Sequence, residues 1–216
     1  MSRPLALVAL IPLLTVSEAC SDVHWSVQAS VGTALNLPTP LTIRQSQGDD
    51  LRLRARYRTR AFQFPLYYAL RVTRWDGDRA WALELRHHKL FLENPPDEVQ
   101  QFSVTHGYNL LTVCRLRRDH GFVTGVGVGV VIAHPENVVR GRVLEETGGP
   151  LGGGYYLAGP TAAVLVAREV PLGAGWSLPV EAMTTASWAR VPVAGGRADV
   201  PNVAVHGTMG LSLRLP

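Results

Sequence analysis

Trp81-Ala82-Leu83-Glu84-Leu85-Arg86-His87-His88 is the stretch whose reading decides the fold. In an extended chain Trp81, Leu83 and Leu85 fall on one side, and Glu84, Arg86 and His88 on the other. A period of two with unlike faces marks a strand whose two sides meet different surroundings. A second alternating run, Phe102 to Leu110, follows the turn-forming cluster Glu93-Asn94-Pro95-Pro96-Asp97-Glu98. The adjacent prolines cannot extend either run, so the pair reads as a β-hairpin with one apolar and one titratable face.

The same pattern recurs outward from this hairpin. Leu51, Leu53, Ala55 and Tyr57 oppose Arg52, Arg54, Arg56, Arg58 and Arg60, while Val203, Val205, Met209, Leu211 and Leu213 oppose Asn202, His206, Thr208, Ser212 and Arg214. Short turns such as Asp76-Gly77-Asp78 and Ala194-Gly195-Gly196 separate long strand patterns, and no convincing helix or repeat interrupts them. Eight such strands, mostly ten residues or more, run from Leu51 to the C-terminus. The expected fold is therefore all-β: an antiparallel up-and-down transmembrane β-barrel of eight strands, or ten if runs near Trp25 and Leu41 join the wall. Lipid would lie outside and the charged faces would line the interior, where an arginine row needs acidic partners; Glu84, Glu169 and Glu181 are the candidates. A soluble lipocalin-like barrel is the alternative fold and would invert every face.

Residues 1–19 read as a secretory signal: Arg3 gives the positive start, Leu5 to Val16 the apolar centre, and Ser17-Glu18-Ala19 the small-x-small cleavage pattern. Cys20 follows and raises lipid attachment. Residues 20–49 are expected to form an N-terminal segment packed against or inside a barrel of residues 50–216. Of the 21 basic residues one is Lys89 and the rest are arginine, giving a net charge of +4. Because the arginines alternate along strands without a reading motif, nucleic acid is not expected as a partner. Two cysteines do not make a disulfide framework.

With short turns inside the cell envelope and long loops outside, five of the seven histidines (His87, His88, His106, His134 and His206) fall toward the external ends of their strands. With Arg58, Arg60, Lys89, Glu136, Asn137, Arg140 and Arg142 they make a basic rim suited to lipid phosphate. A symmetric hairpin turn would place His88 opposite Ser103, the minimum for an activated hydroxyl, with Glu84 as orienting carboxylate. The histidines show no tight ligand spacing, so no metal site is expected, and no cofactor.

Across the region after the leader the chain resembles small outer-membrane β-barrel proteins of Gram-negative bacteria. Arg74-Trp75-Asp76 followed by Trp81 resembles the matching hairpin of the lipid A palmitoyltransferase family, eight-stranded barrels that move an acyl chain from outer-leaflet phospholipid. Where that family carries a catalytic Asp-Ser, this chain has His87-His88-Lys89; where lipid A deacylase barrels have His-x-Ser, it has His106-Gly107-Tyr108. The resemblance implies a monomer in the bacterial outer membrane whose partners are outer-membrane lipids and lipopolysaccharide. Two functions follow: binding of envelope lipid without catalysis, or acyl transfer to, or hydrolysis of, lipid A or phospholipid.

Overall fold

The computed structural model describes residues 23–145, 148, 149 and 151–215; the signal reading of residues 1–19 and the Cys20 reading lie outside them. Among the described residues thirteen strands follow in chain order: β1 (Val23–Leu37), β2 (Thr39–Gln45), β3 (Leu51–Ala55), β4 (Tyr57–Arg58), β5 (Tyr68–Asp76), β6 (Arg79–His87), β7 (Leu90–Leu92), β8 (Val99–Asp119), β9 (Phe122–Val139), β10 (Arg142–Val143), β11 (Tyr156–Gly173), β12 (Trp176–Val193) and β13 (Gly196–Leu215). Eight of them close an antiparallel ring in the order β1, β5, β6, β8, β9, β11, β12, β13 and back to β1. Three two-residue turns lie at the end where β1 begins and β13 finishes, at Gly77-Asp78, His120-Gly121 and Ala174-Gly175. Both residues of the last two turns have positive φ, the conformation that matches the twist of tightly joined strands.

The strand count is the one expected from sequence, but the first member differs. Residues 23–45 are not a separate packed segment: β1 is a wall strand between β13 and β5, and β2 continues upward along β13. The physical reason lies in the side chains. Ser26, Gln28, Ser30 and Gly32 put no charge on the inner face of β1, while Trp25, Val27, Val31 and Leu35 make an outer face suited to hydrocarbon. By contrast β3 is five residues long, too short to cross a bilayer as a strand of about nine to eleven residues does.

The arginine row was expected to point inward and does not. Arg52, Arg54, Arg56, Arg58 and Arg60 are all exposed, whereas Ala55, Tyr57, Thr59 and Ala61 are buried between them. β3 and β4 sit beyond the eight-stranded ring, in a second storey where β2, β3, β4 and β7 complete the sheet alongside the upper parts of β8, β9, β12 and β13. There the interior is apolar, filled by Leu41, Ile43, Tyr57, Leu90, Phe102 and Val200 among others. Water lies outside this storey, so charge faces outward, as in any soluble fold.

The lower storey has the opposite polarity, as the hairpin reading requires. Leu70, Val72, Trp81, Leu83, Val128, Val164, Val166, Val180, Met209 and Leu211 are exposed on the outside. Inside, Arg71, Glu84, Arg86 and Glu181 are almost fully buried. Strand β13 carries the change on its own: its inward face runs from Ala198 and Val200 to Asn202, His206, Thr208 and Ser212, while its outward face runs from Arg197 to Val205, Met209 and Leu211. An aromatic and arginine belt marks the lower boundary, with Trp25, Trp81, Phe122 and Trp176 outside, Arg115 over Trp81 and Arg168 over Phe122. Exposed Trp188 marks the upper boundary on β12. At about 3.4 Å per residue and a tilt of about 40°, the rise from Trp176 to Trp188 is roughly 30 Å, the thickness of a hydrocarbon core.

The interior charges neutralise one another. Arg71 bonds Glu84 through Nε at 2.7 Å and Glu181 through Nη2 at 2.6 Å; Arg86 bonds Glu84 at 2.9 Å and Glu181 at 2.6 Å. Two of the three carboxylates expected to balance interior arginines do so, but their partners are Arg71 and Arg86, not the Arg52–Arg60 row. Glu169 pairs instead with Arg118 at 2.7 Å near the lower end. The cluster spans the barrel from β5 and β6 to β12 and fills the lumen at this level, consistent with the small radius of an eight-stranded cylinder.

Candidate functional site

The outer wall of the second storey and the loop below it form one continuous surface. Every second residue from Arg52 to Phe64 is exposed: five arginines, then Phe62 and Phe64 at 83% and 88% exposure. Side chains two apart on a strand lie about 6.5–7 Å from one another, which separates Arg52 from Arg54 on β3; Arg58 is on β4, and Arg60 follows in the turn with φ 48°. Asn94 fixes the backbone between β3 and β4, accepting from Arg56 N–H at 2.8 Å and donating to Arg54 O at 3.0 Å. Arg52 meets Asp50 at 3.2 Å and Arg58 meets Glu93 at 2.7 Å. Among the described residues Arg54 and Arg56 have no carboxylate within ion-pair reach.

The loop that presents the two phenylalanines is tied down from both sides. Thr59 Oγ1 donates to Ala34 O at 3.0 Å and accepts from Asn36 Nδ2 at 2.9 Å; Tyr67 N–H returns to Ala61 O at 2.9 Å. From beneath, Lys89 Nζ donates to Gln63 O at 2.5 Å and Pro65 O at 2.7 Å. Burial lowers the Lys89 ammonium below its ordinary pKa, and the neighbouring Arg60 guanidinium adds to this. At the top of the wall Asp199 is clasped by Arg190 at 2.8 Å and by Arg44; burial would raise its pKa, but the two arginines outweigh it and hold the carboxyl below its usual range.

Beside this loop opens a cleft of about 450 Å³, lined by Arg60, Lys89, Phe91, Ser103, His106 and Glu136 among others. Arg60 lies 4.2 Å above the Phe91 ring. The far wall of the cleft is shaped by a β-bulge. Val104 pairs with Pro135 and Tyr108 with Ala133, so Thr105, His106 and Gly107 stand opposite the single residue His134. Gly107 adopts φ 131°, where a side chain would be strained and would meet Asn109. The extra length turns His106 toward Glu136, with Nδ1 2.9 Å from Oε1, and sets the His106 and His134 rings 4.9 Å apart.

The residues singled out from sequence therefore divide. Arg60, Lys89, Ser103 and His106 line the one cleft, with His134 at its bulged wall; Arg58 is on the arginine row. His87 is buried, stacked on Tyr68 at 5.1 Å and bonded to Asn109 at 2.7 Å. His206 is not a rim residue: it lies inside the barrel, bonded to Tyr67 Oη at 2.7 Å and Thr185 Oγ1 at 2.8 Å. Its even position on β13 faces inward throughout, which explains the difference.

The expected His88–Ser103 pair is not assembled. Ser103 stands opposite Phe91, because Leu90 pairs with Val104, and its hydroxyl donates to Glu136 O at 3.4 Å. His88 is buried against Asn36 (3.0 Å), with Tyr67, Tyr108 and His206 edge-on around it. Glu84 is held by Arg71 and Arg86. An irregular connection around β7, rather than a symmetric hairpin turn, accounts for the shift. Tyr67 and Asn36 enter these networks without having been marked by any motif.

Neither a protein-family model nor a curated protein matches the sequence. Among solved structures the chain is similar to outer membrane protein AlkL in lipid bilayers, at 10% identity and TM-score 0.51, covering all of this chain and 97% of that one. It is also similar to Neisserial surface protein A, at 9% identity and TM-score 0.42 over 88% of this chain and 97% of that one. A third likeness is to Ail of Yersinia pestis in complex with the heparin analogue sucrose octasulfate, at 8% identity and TM-score 0.42 over 89% and 99%. The chain has the fold of the small outer-membrane β-barrels.

Proposed function

We propose that this barrel of the small outer-membrane type binds the anionic head groups of outer-leaflet lipid, lipopolysaccharide above all, along the Arg52–Phe64 stripe, without catalysis. One observation carries the reading: exposed arginines at every second position from Arg52 to Arg60, leading into exposed Phe62 and Phe64. Guanidinium forks suit phosphate, and the aromatic rings at the foot of the row suit the acyl region below the head groups. The apolar outer band of the lower storey supports placing the row beside the head groups of the bacterial outer membrane. Acyl transfer or hydrolysis is less well supported, since the hydroxyl and imidazole expected to act together stand in different registers.

Purified protein in detergent, titrated with lipid A and with dephosphorylated lipid A, tests this. Each arginine beside an anionic lipid surface is worth about 1 kcal/mol. The R54A/R56A double variant is therefore expected to weaken lipid A binding at least about tenfold, with less salt dependence. Equal affinity for the two lipids, or unchanged binding by the variant, would remove the proposal.

A further inference from the structure

The bulged wall of the cleft assembles a constellation independent of the arginine row. His106, His134 and Glu136 each offer one ligand atom, and all three atoms lie within 4.8 Å of one another. We propose that these residues bind a single zinc ion, with two imidazoles and one carboxylate as ligands and a remaining position open to the cleft.

Local geometry supplies what such a site needs. His134 and Glu136 are two apart on β9, and the bulge in β8 brings His106 onto the same point. A tetrahedral ion with bonds of about 2.0–2.1 Å holds its ligand atoms about 3.3 Å apart, so the widest separation has to close by at most about 1.5 Å. Two imidazoles and a carboxylate suit zinc, and a vacant fourth position is the arrangement of reactive rather than purely structural zinc sites. The surrounding shell is built too. Thr105 Oγ1 donates to the Glu136 carboxylate, Tyr155 Oη donates to His106 O at 3.1 Å, and the Tyr155 ring stands edge-on to His134 at 4.9 Å. The Thr105 bond is of the kind that orients a metal ligand and sustains affinity, while Tyr155 holds the His106 backbone and packs on the His134 ring. His106 is half exposed and lies on the cleft with Glu136, so an ion has an entry path.

The sequence showed no tight ligand spacing because the third ligand sits about thirty residues away and reaches the others only through the bulge. Equilibrium dialysis of tag-free, folded full-length protein against zinc chloride is expected to give one equivalent bound. His106→Ala and Glu136→Gln, both at partly exposed positions, are each expected to weaken binding at least tenfold. Cobalt loading of the wild type is expected to show the intense visible bands of a tetrahedral site, and these should be absent from His134→Ala. Lack of stoichiometric binding by the folded wild type, or binding that survives both His106→Ala and Glu136→Gln, overturns the proposal. Loss of lipid binding in the R54A/R56A variant with zinc binding intact is expected, because the two sites share no residue.

Discussion

Replacing Arg86 with Met is expected to lower the unfolding free energy by about 3–5 kcal/mol, the cost of leaving buried charge unpaired. Arg86 bonds Glu84, Glu181 and the hydroxyl of Tyr67, so its loss leaves two buried carboxylates to share Arg71. The cluster balances two positive against two negative charges, and one deletion makes it net negative in a site closed to water. Replacing Arg86 and Glu181 together by Met leaves the Arg71–Glu84 pair intact and restores neutrality. That double variant is expected to recover most of the loss, since apolar replacement of a complete ion pair is often neutral or stabilising. Urea titration of the three proteins in lipid vesicles, followed by tryptophan fluorescence, measures this. Equal midpoints for the single and double variants would show that charge balance is not what the cluster provides.

The second large effect concerns the outer face of the lower storey. Val166 is exposed on β11 and pairs with Ala182, midway between Trp176 and Trp188 on β12. Val166→Arg is expected to cost about 2–4 kcal/mol in a bilayer, the penalty for a cation near the midplane of a barrel's lipid face. Gln101→Arg, at an exposed position of β8 in the second storey, is expected to change stability by no more than about 0.5 kcal/mol. Comparable losses at the two positions would mean that both walls face the same solvent.

How far the sequence revealed this molecule depends on what alternation can say. The Trp81–His88 run reports two unlike faces, and Trp81 and Leu83 do point out while Glu84 and Arg86 point in. The same logic applied to Arg52–Arg60 fails, because alternation separates faces without naming the solvent on either side. A strand in the membrane and a strand above it have the same period and opposite polarity. Length is the discriminating signal: β3 stops after five residues, whereas β1 runs for fifteen and carries no charged residue on its inner face. The cleft was partly legible, since Arg60, Lys89, Ser103 and His106 were all singled out by residue type. Their arrangement was not. The Phe91–Ser103 register and the bulge at Thr105–Gly107 are set by packing of the apolar second storey, which no local pattern encodes.

The central claim is that one cylinder changes polarity along its axis, with lipid outside the lower storey and water outside the upper one. Arg197 and Val205 lie on the same outward face of β13 and on opposite sides of the proposed boundary. Spin labels placed singly at these positions in bilayer-reconstituted protein test it most directly, by collision with oxygen and with a water-soluble nickel chelate. The label at 205 should collide preferentially with oxygen and the label at 197 with the chelate; the same preference at both positions would contradict the account.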